Sequence, residues 1–267
     1  MKRYFLYFLI CSFFGINAKA QLFDVVSNYA FKEGEKLEYS VGYGFIKAAE
    51  ATLEVKATSE TFNNRSAFHV VANGKTTGGF RTLFKVDDEF ESYIDKYALV
   101  PWLFKENINE GRYRRLVDNH FNHFEKEVFI DKKKKDPSKR TLPIPTGVHD
   151  FISAMYYARS IATEEADSKK KFAFTIFLQD TVFDVAVEFI EREEVKTKAG
   201  KFKCLKYKIG VLEGGFFAEG GDTYLWVTDD KNRIPVQVTV DLFLGSMYVE
   251  LSKYSGTKYP LLSKVSS

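Results

Sequence analysis

Two histidines three residues apart, His120 and His123 in "NHFNH", are the first side chains whose types suggest chemistry, that of a metal site. Their neighbours alternate as a strand does, and on a strand positions three apart point to opposite faces, so the two rings diverge. His69 and His149 are remote in sequence. The pair therefore reads as solvated histidines at a strand edge, and no metal is assigned. Asp87, Asp88, Glu89 and Glu91 gather enough carboxylate for a general acid and base. No second acidic motif stands opposite them at a recognisable spacing, and a charge cluster beside a turn is usually solvated. Nucleophile signatures are missing, with no G-x-S-x-G, no S-x-x-K and no histidine-paired cysteine. Cys204 sits in a strand-like run and is most simply a small buried hydrophobe. "NGKTTGGF" (73–80) is glycine-rich but lacks the order G-x-x-x-x-G-K-[ST], so it reads as a turn rather than a phosphate loop. No catalytic residue and no cofactor is assigned.

Basic residues carry two further signals. Lys132–Lys135 with Lys139 and Arg140 read as a solvated hairpin tip; the alternative is attraction to anionic headgroups, ~1 kcal/mol per basic residue at such a surface. Arg159 follows Ile152, Met155 and Tyr156 on one apolar helix face, where a guanidinium is costly unless paired. It either pairs with a strand carboxylate, locking helix to sheet, or meets a ligand's carboxylate or phosphate with its planar fork. Pairing within the protein is the commoner fate of a buried charge.

The elements that must position these groups are mostly strands. In "EATLEVKA" (50–57) Ala51, Leu53, Val55 and Ala57 face one way and charged or polar residues the other; "KLEYSVGYGF" (36–45) does the same. The two form a hairpin. Comparable runs follow at 67–72, 83–95, 112–118, 123–130, 172–178, 182–191, 201–209, 222–228, 235–243 and 247–254, punctuated by "NNRS", "NEGR", "TKAGK" and "DDKN". This predicts a mainly β fold: an antiparallel, strongly curved sheet or open half-barrel of about 10–12 strands with one covering helix. "YALVPWLFKENI" (97–108) reads as an irregular or briefly helical crossing around Pro101. "HDFISAMYYARSIATEEA" (149–166) is the helix, with Asp150 placed to cap its first turn. Pro235 belongs at a strand's first residue or on an edge, since it lacks an amide hydrogen. Leu225 and Val227 alternate with Trp226, so both faces of that strand carry apolar bulk and need covering, by the helix and the 97–108 crossing.

Residues 1–20 read as a leader rather than as fold. Lys2 and Arg3 precede the short apolar "YFLYFLICSFFGI", and "NAKA" ends in small residues, which predicts cleavage between Ala20 and Gln21 and a periplasmic protein. The apolar run is shorter than the ~20 residues a spanning helix needs, so no transmembrane segment is expected after cleavage. Acylation at Cys11 ranks second, because "FLI" before it lacks a small residue. The leader takes three of the 39 basic residues and none of the 36 acidic ones, leaving a balanced charge that implies no nucleic-acid partner. Only Cys204 remains, so no internal disulfide is possible. No linker divides residues 21–267, which are expected to form a single domain.

"GEKLEYSVGYGFIKAAEATLEV", "HDFISAMYYAR", "AGKFKCLKYKI" and "LWVTDDKNRIPVQV", in this order, resemble the DUF3108 family of exported bacterial proteins over nearly all of residues 31–254. That resemblance implies a β-rich exported protein and brings no established activity. The strand–turn–strand pattern is also similar in architecture to periplasmic lipoprotein carriers, which fold an open half-barrel over a helix to hold acyl chains; fold alone does not imply that function. Aromatic residues form 16% of the chain, a load that suits an apolar ligand cavity or simply fills a wide core. The expectation is a non-enzymatic envelope protein that binds an apolar, lipid-like or acylated ligand through Tyr39, Tyr43, Trp102, Tyr156, Arg159 and Trp226. The alternative is a structural or protein-interaction module of the envelope with a filled core; a hydrolase ranks last.

Overall fold

Alternating apolar and polar residues pair their strands through most of the chain, as the computed structural model shows. It describes residues 25–26, 30–44, 46–134, 136–161, 171–211, 221–241 and 245–266. The leader, its cleavage site and residues 162–166 of the expected helix lie outside these. The first half runs β1 (Lys36–Tyr43), β2 (Ile46–Lys56), β3 (Thr61–Phe62), β4 (Arg65–Thr76), helix α1 (Gly78–Leu83), β5 (Asp87–Asp95), β6 (Pro101–Glu110), β7 (Tyr113–Asn122), β8 (Glu127–Lys132) and β9 (Ser138–Pro143). Helix α2 (Phe151–Ile161) follows, then β10 (Lys171–Leu178), β11 (Thr181–Thr197), β12 (Gly200–Val211), β13 (Thr223–Thr228), β14 (Pro235–Asp241), β15 (Ser246–Ser255) and β16 (Lys264–Val265).

All strands join one antiparallel sheet. From one end to the other the order is β10, β11, β12, β13, β14, β15, β1, β2, β4, β5, β6, β7, β8, β9, with β16 beside β12 and β3 beside β4. The chain thus closes its first strand onto its last long one, Lys36 opposite Ser255 and Tyr43 opposite Met247. Among the described residues no backbone ladder joins β10 to β9, so the barrel is open. Side chains and one short segment bridge that seam instead. The His149 amide donates to Thr175 O (2.9 Å) and Phe177 N–H donates to His149 O (2.7 Å). In the β10–β11 turn, Asp180 pairs with Lys132 (3.2 Å) and Arg140, with Arg115 at 3.9 Å.

Some elements differ from the sequence-based expectation. Residues 97–108 are not a crossing: Asp95 accepts N–H bonds from Tyr97 and Ala98 and makes a tight turn, Leu99 takes a positive φ, and β6 begins at Pro101. Proline as the first strand residue loses no ladder bond. The basic loop after Lys132 contains a strand, β9, whose "SKRTLP" is almost wholly exposed and shows no alternation. "NGKTTGGF" ends β4 and opens α1, a second helix none of whose residues is buried.

Helix α2 lies against the inside of the curve and starts as expected. Asp150 Oδ1 accepts the amides of Ile152 (2.7 Å) and Ser153 (2.8 Å), which satisfies two of the free first-turn donors. One side of α2, Ile152 and Tyr156, enters a core with Phe31, Phe68, Leu99, Phe104, Phe121 and Ile130. The other side, through Ala154, meets Ile176, Val187, Leu205, Tyr207 and Val227. Both faces of β13 are covered, but not as the sequence suggests. Leu225 and Val227 face α2, while Trp226 packs with Leu37, Phe202, Val236 and Leu251 of β1, β12, β14 and β15. The 97–108 segment covers neither face.

Candidate functional site

Five strands present apolar side chains to the second side of α2. Phe172 stands opposite Val187 and Phe174 opposite Val185; Val187 opposite Ile209; Tyr207 opposite Leu225; Leu225 opposite Val238. Directly paired residues share a sheet face, so these form one continuous apolar wall. Facing it, α2 offers Ala154 and Ala158, one turn apart, flanked by Phe151 and Met155. Two alanines cannot fill the space that the curved wall leaves. The result is a groove of about 260 Å³, lined almost wholly by apolar atoms.

Among the described residues two guanidiniums, Arg159 and Arg233, are the charged groups lining it. Arg159 is fully engaged. Its fork meets both oxygens of Glu35 at 2.7 and 2.9 Å, and it also donates to Asn232 O at 3.0 and 3.2 Å. Neither side chain of the pair is exposed, at 2% and 0%. Burial alone would lower the Arg159 pKa; the adjacent Glu35 carboxylate outweighs it and holds the value above the ordinary guanidinium range. Arg233 sits in the β13–β14 turn at a φ of 46°. That turn is anchored by Arg159 and by Asn232, whose side chain donates to Tyr259 O (3.1 Å) and accepts the Tyr259 amide (2.9 Å).

The six residues named from sequence do not gather in this groove. Arg159 lines it; Tyr156 lies beneath, with the Arg159 guanidinium 5.0 Å from its ring centroid. Tyr39 is buried near the same pair and donates to Pro235 O at 3.1 Å. Tyr43 is 42% exposed, on the strand end beside Met247. Trp102 is the second residue of β6, and its indole N–H reaches back to donate to Asp95 at 3.1 Å. Trp226 points to the far side of β13 and donates to Glu193 at 2.6 Å. Sequence reasoning missed Arg233, which follows the "DDKN" turn and was given no role, and Glu35, which no spacing links to Arg159.

A larger recess, about 630 Å³, lies on β1, β2, β4 and β15. Its walls mix polar and apolar atoms and carry paired charges, Lys47 on Glu50 (2.5 Å) and Lys253 on Glu38 (3.5 Å), which is the pattern of a solvated sheet face.

Other reactive groups are committed to the fold. Asp87 pairs with Arg81 and Lys85, Asp88 accepts the Asn109 amide, and Glu91 pairs with His69. Burial pushes the Cys204 thiol up to about 12, far from a reactive thiolate. His120 is exposed, but His123 is not a solvated edge residue: it lies beyond β7, fully buried, with Nε2 2.8 Å from Pro101 O. Burial lowers its pKa to about 4 and, with help from His123, that of His149 to about 3. Burial also raises Asp150 to about 6, against the hydrogen bonds from Ser92, Ser153 and Ile152. Among the described residues no cluster of three or more His, Cys, Asp or Glu side chains could hold a metal ion, and no helix is long and apolar enough to cross a membrane.

Among solved structures, a β-barrel-like protein of a domain of unknown function, DUF1849, from Brucella abortus is 12% identical. It covers 85% of this chain and 98% of its own, with a TM-score of 0.55. That likeness is one of fold. A protein described as a lipoprotein from Parabacteroides distasonis (14% identity, 87% and 100% coverage) reaches a TM-score of 0.37. A protein described as exported, with a YmcC-like fold, from Bacteroides fragilis (14%, 85% and 98%) reaches 0.35, and neither bears on geometry. No curated protein matches the sequence. The family described as "Protein of unknown function (DUF3108)" matches residues 38–252, from within β1 to within β15 and so nearly all of the open barrel and its groove, and the chain belongs to it.

Proposed function

We propose that this protein is a non-enzymatic envelope protein that holds an apolar, lipid-like chain between α2 and the β10–β14 wall. The observation that supports it most is the groove itself: an apolar space kept open by alanines on one side and walled by aromatic and branched residues on the other. Filled cores leave few voids larger than a water molecule, so such a space calls for an occupant. The expected leader supports an exported location. Lipid mass spectrometry on protein purified under native conditions tests the reading, together with uptake of a fluorescent fatty acid. Co-purified chains, or saturable uptake weakened by Ala158→Leu, are expected; protein that is repeatedly empty and takes up nothing would sink it.

A second reading, a protein-interaction module, is favoured by α1. That helix buries none of its residues and leaves Leu83 84% and the following Phe84 54% exposed. Cross-linking in intact cells from a probe at Phe84, with and without Leu83→Asp, tests it; an identical cross-link pattern removes the support.

A further inference from the structure

The proposed groove offers two guanidiniums to whatever enters it, and they differ in what they still have to give. Arg159 has its two-pronged carboxylate partner and a backbone carbonyl besides. Arg233 has little: its side chain is only 11% exposed, and its ion pair is one long contact from Nη1 to Asp229 Oδ1 at 3.5 Å. Asp229 is moreover shared, its other oxygen taking Arg192 Nε at 3.0 Å. A guanidinium carries five donors in a planar fork, and with one stretched acceptor in the protein the others are left to the water that still reaches this partly buried side chain. Its place is also fixed, because Arg159 and Asn232 pin the turn that carries it. A planar, bidentate acceptor with one negative charge is the partner that this fork lacks.

Size limits the rest of the ligand. At about 260 Å³ the groove lies just under the ~300–1,000 Å³ usual for small-molecule sites, room for one chain and not for the two of a phospholipid. We infer that the groove takes a single-chain amphiphile with a carboxylate head, the head held by Arg233 and the chain laid along Ala154, Ala158 and the β10–β14 wall. This rests on the apolar-chain reading given above.

Dodecanoate and dodecanol share a chain and differ in the head, so titrating both separates the two claims. Calorimetry on the full mature chain, at a pH where the acid is ionised, should find dodecanoate bound about ten-fold or more tighter than dodecanol, the usual worth of a charged hydrogen bond. Arg233→Met, which keeps the stem, should abolish that preference and leave dodecanol affinity within about two-fold, and Arg233→Lys should restore only part of it. An unchanged thermal melt shows the turn intact; should Arg233→Met unfold, Arg233→Lys and the wild-type preference decide the matter. Equal binding of acid and alcohol by the wild type, or an undiminished preference in Arg233→Met, would overturn the carboxylate inference while leaving the groove reading standing. Binding of neither probe would overturn both.

Discussion

On one side of α2, large residues meet large residues. Tyr156 reaches Phe31 with ring centroids 4.5 Å apart, and Phe31 continues to Phe68 at 5.0 Å. On the other side, α2 turns Ala154 and Ala158 toward an equally aromatic wall, whose rings touch mainly along the sheet, with Phe174 meeting Tyr157 of α2 at 6.3 Å. Phe189 meets Tyr207 at 5.8 Å, and Phe172 meets Tyr207 at 6.4 Å. Aromatic content therefore does not decide whether a half-barrel is hollow. The size of the side chains on the facing helix does: the half with Ile152 and Tyr156 is filled, and the half with two alanines is not.

The strongest test falls on the pair that ties the two halves. Arg159→Met keeps the apolar stem but strands the buried Glu35 carboxylate, and denaturant melts should show a loss of roughly 3–5 kcal/mol. Glu35→Leu with Arg159→Met should recover much of it; a double variant as unstable as the single would show that the bonds to Asn232 matter more. Next comes a matched truncation. Phe121→Ala, in the filled half, should cost about 3–5 kcal/mol, whereas Phe174→Ala, half-buried on the groove wall, should cost less than half of that. Equal losses would mean that the two sides are packed alike.

Acid should attack first where the buried rings lie, His123 against Phe121 of the filled half and His149 between Tyr157 and Phe174. His123 and His149 are held neutral, with values near 4 and 3 against an ordinary 6.5, so the unfolded chain binds more protons and their contribution is lost as pH falls through this window. Asp150, raised from 3.8 to about 6, works the other way, its contribution fading as pH rises. Two groups oppose one, which leaves a net loss on the order of 1 kcal/mol per pH unit on going from about pH 6 down to 4. Asp150→Asn should roughly double that slope, and a flat profile between these limits would contradict the burial of both rings. The smallest effect belongs to the seam. Asp180→Asn removes the carboxylate shared by Lys132, Arg140 and Arg115, yet at a partly exposed site this should cost under about 1 kcal/mol and vanish in high salt.

Legibility in the sequence followed the physics of each region. Strands with one dry and one wet face, such as 50–57, announce themselves through alternation, and the cap at Asp150 follows from a short acceptor standing before an apolar helix. Strand β9 has no dry face, so its residues carry no period, and β6 was masked by Pro101 and a run of large apolar residues. The groove was less readable still. Helical spacing shows that Ala154 and Ala158 share a side, but not that a wall stands at a distance from it. Glu35 meets Arg159 across 124 residues, and Arg233 draws its meaning from burial, which "DDKN", a polar turn, gives no reason to expect.

The long reach of that ion pair also bears on time. Strand β1 can zip onto β2 as soon as both exist, but its other edge waits for β15, and Glu35 waits for both α2 and the turn at Asn232. Contacts so distant along the chain must close large loops before they yield anything, which makes folding slow. During synthesis the first strand stands with one edge unpaired until the last long strand arrives, and that interval is when this chain is most exposed to mispairing or to capture by a chaperone.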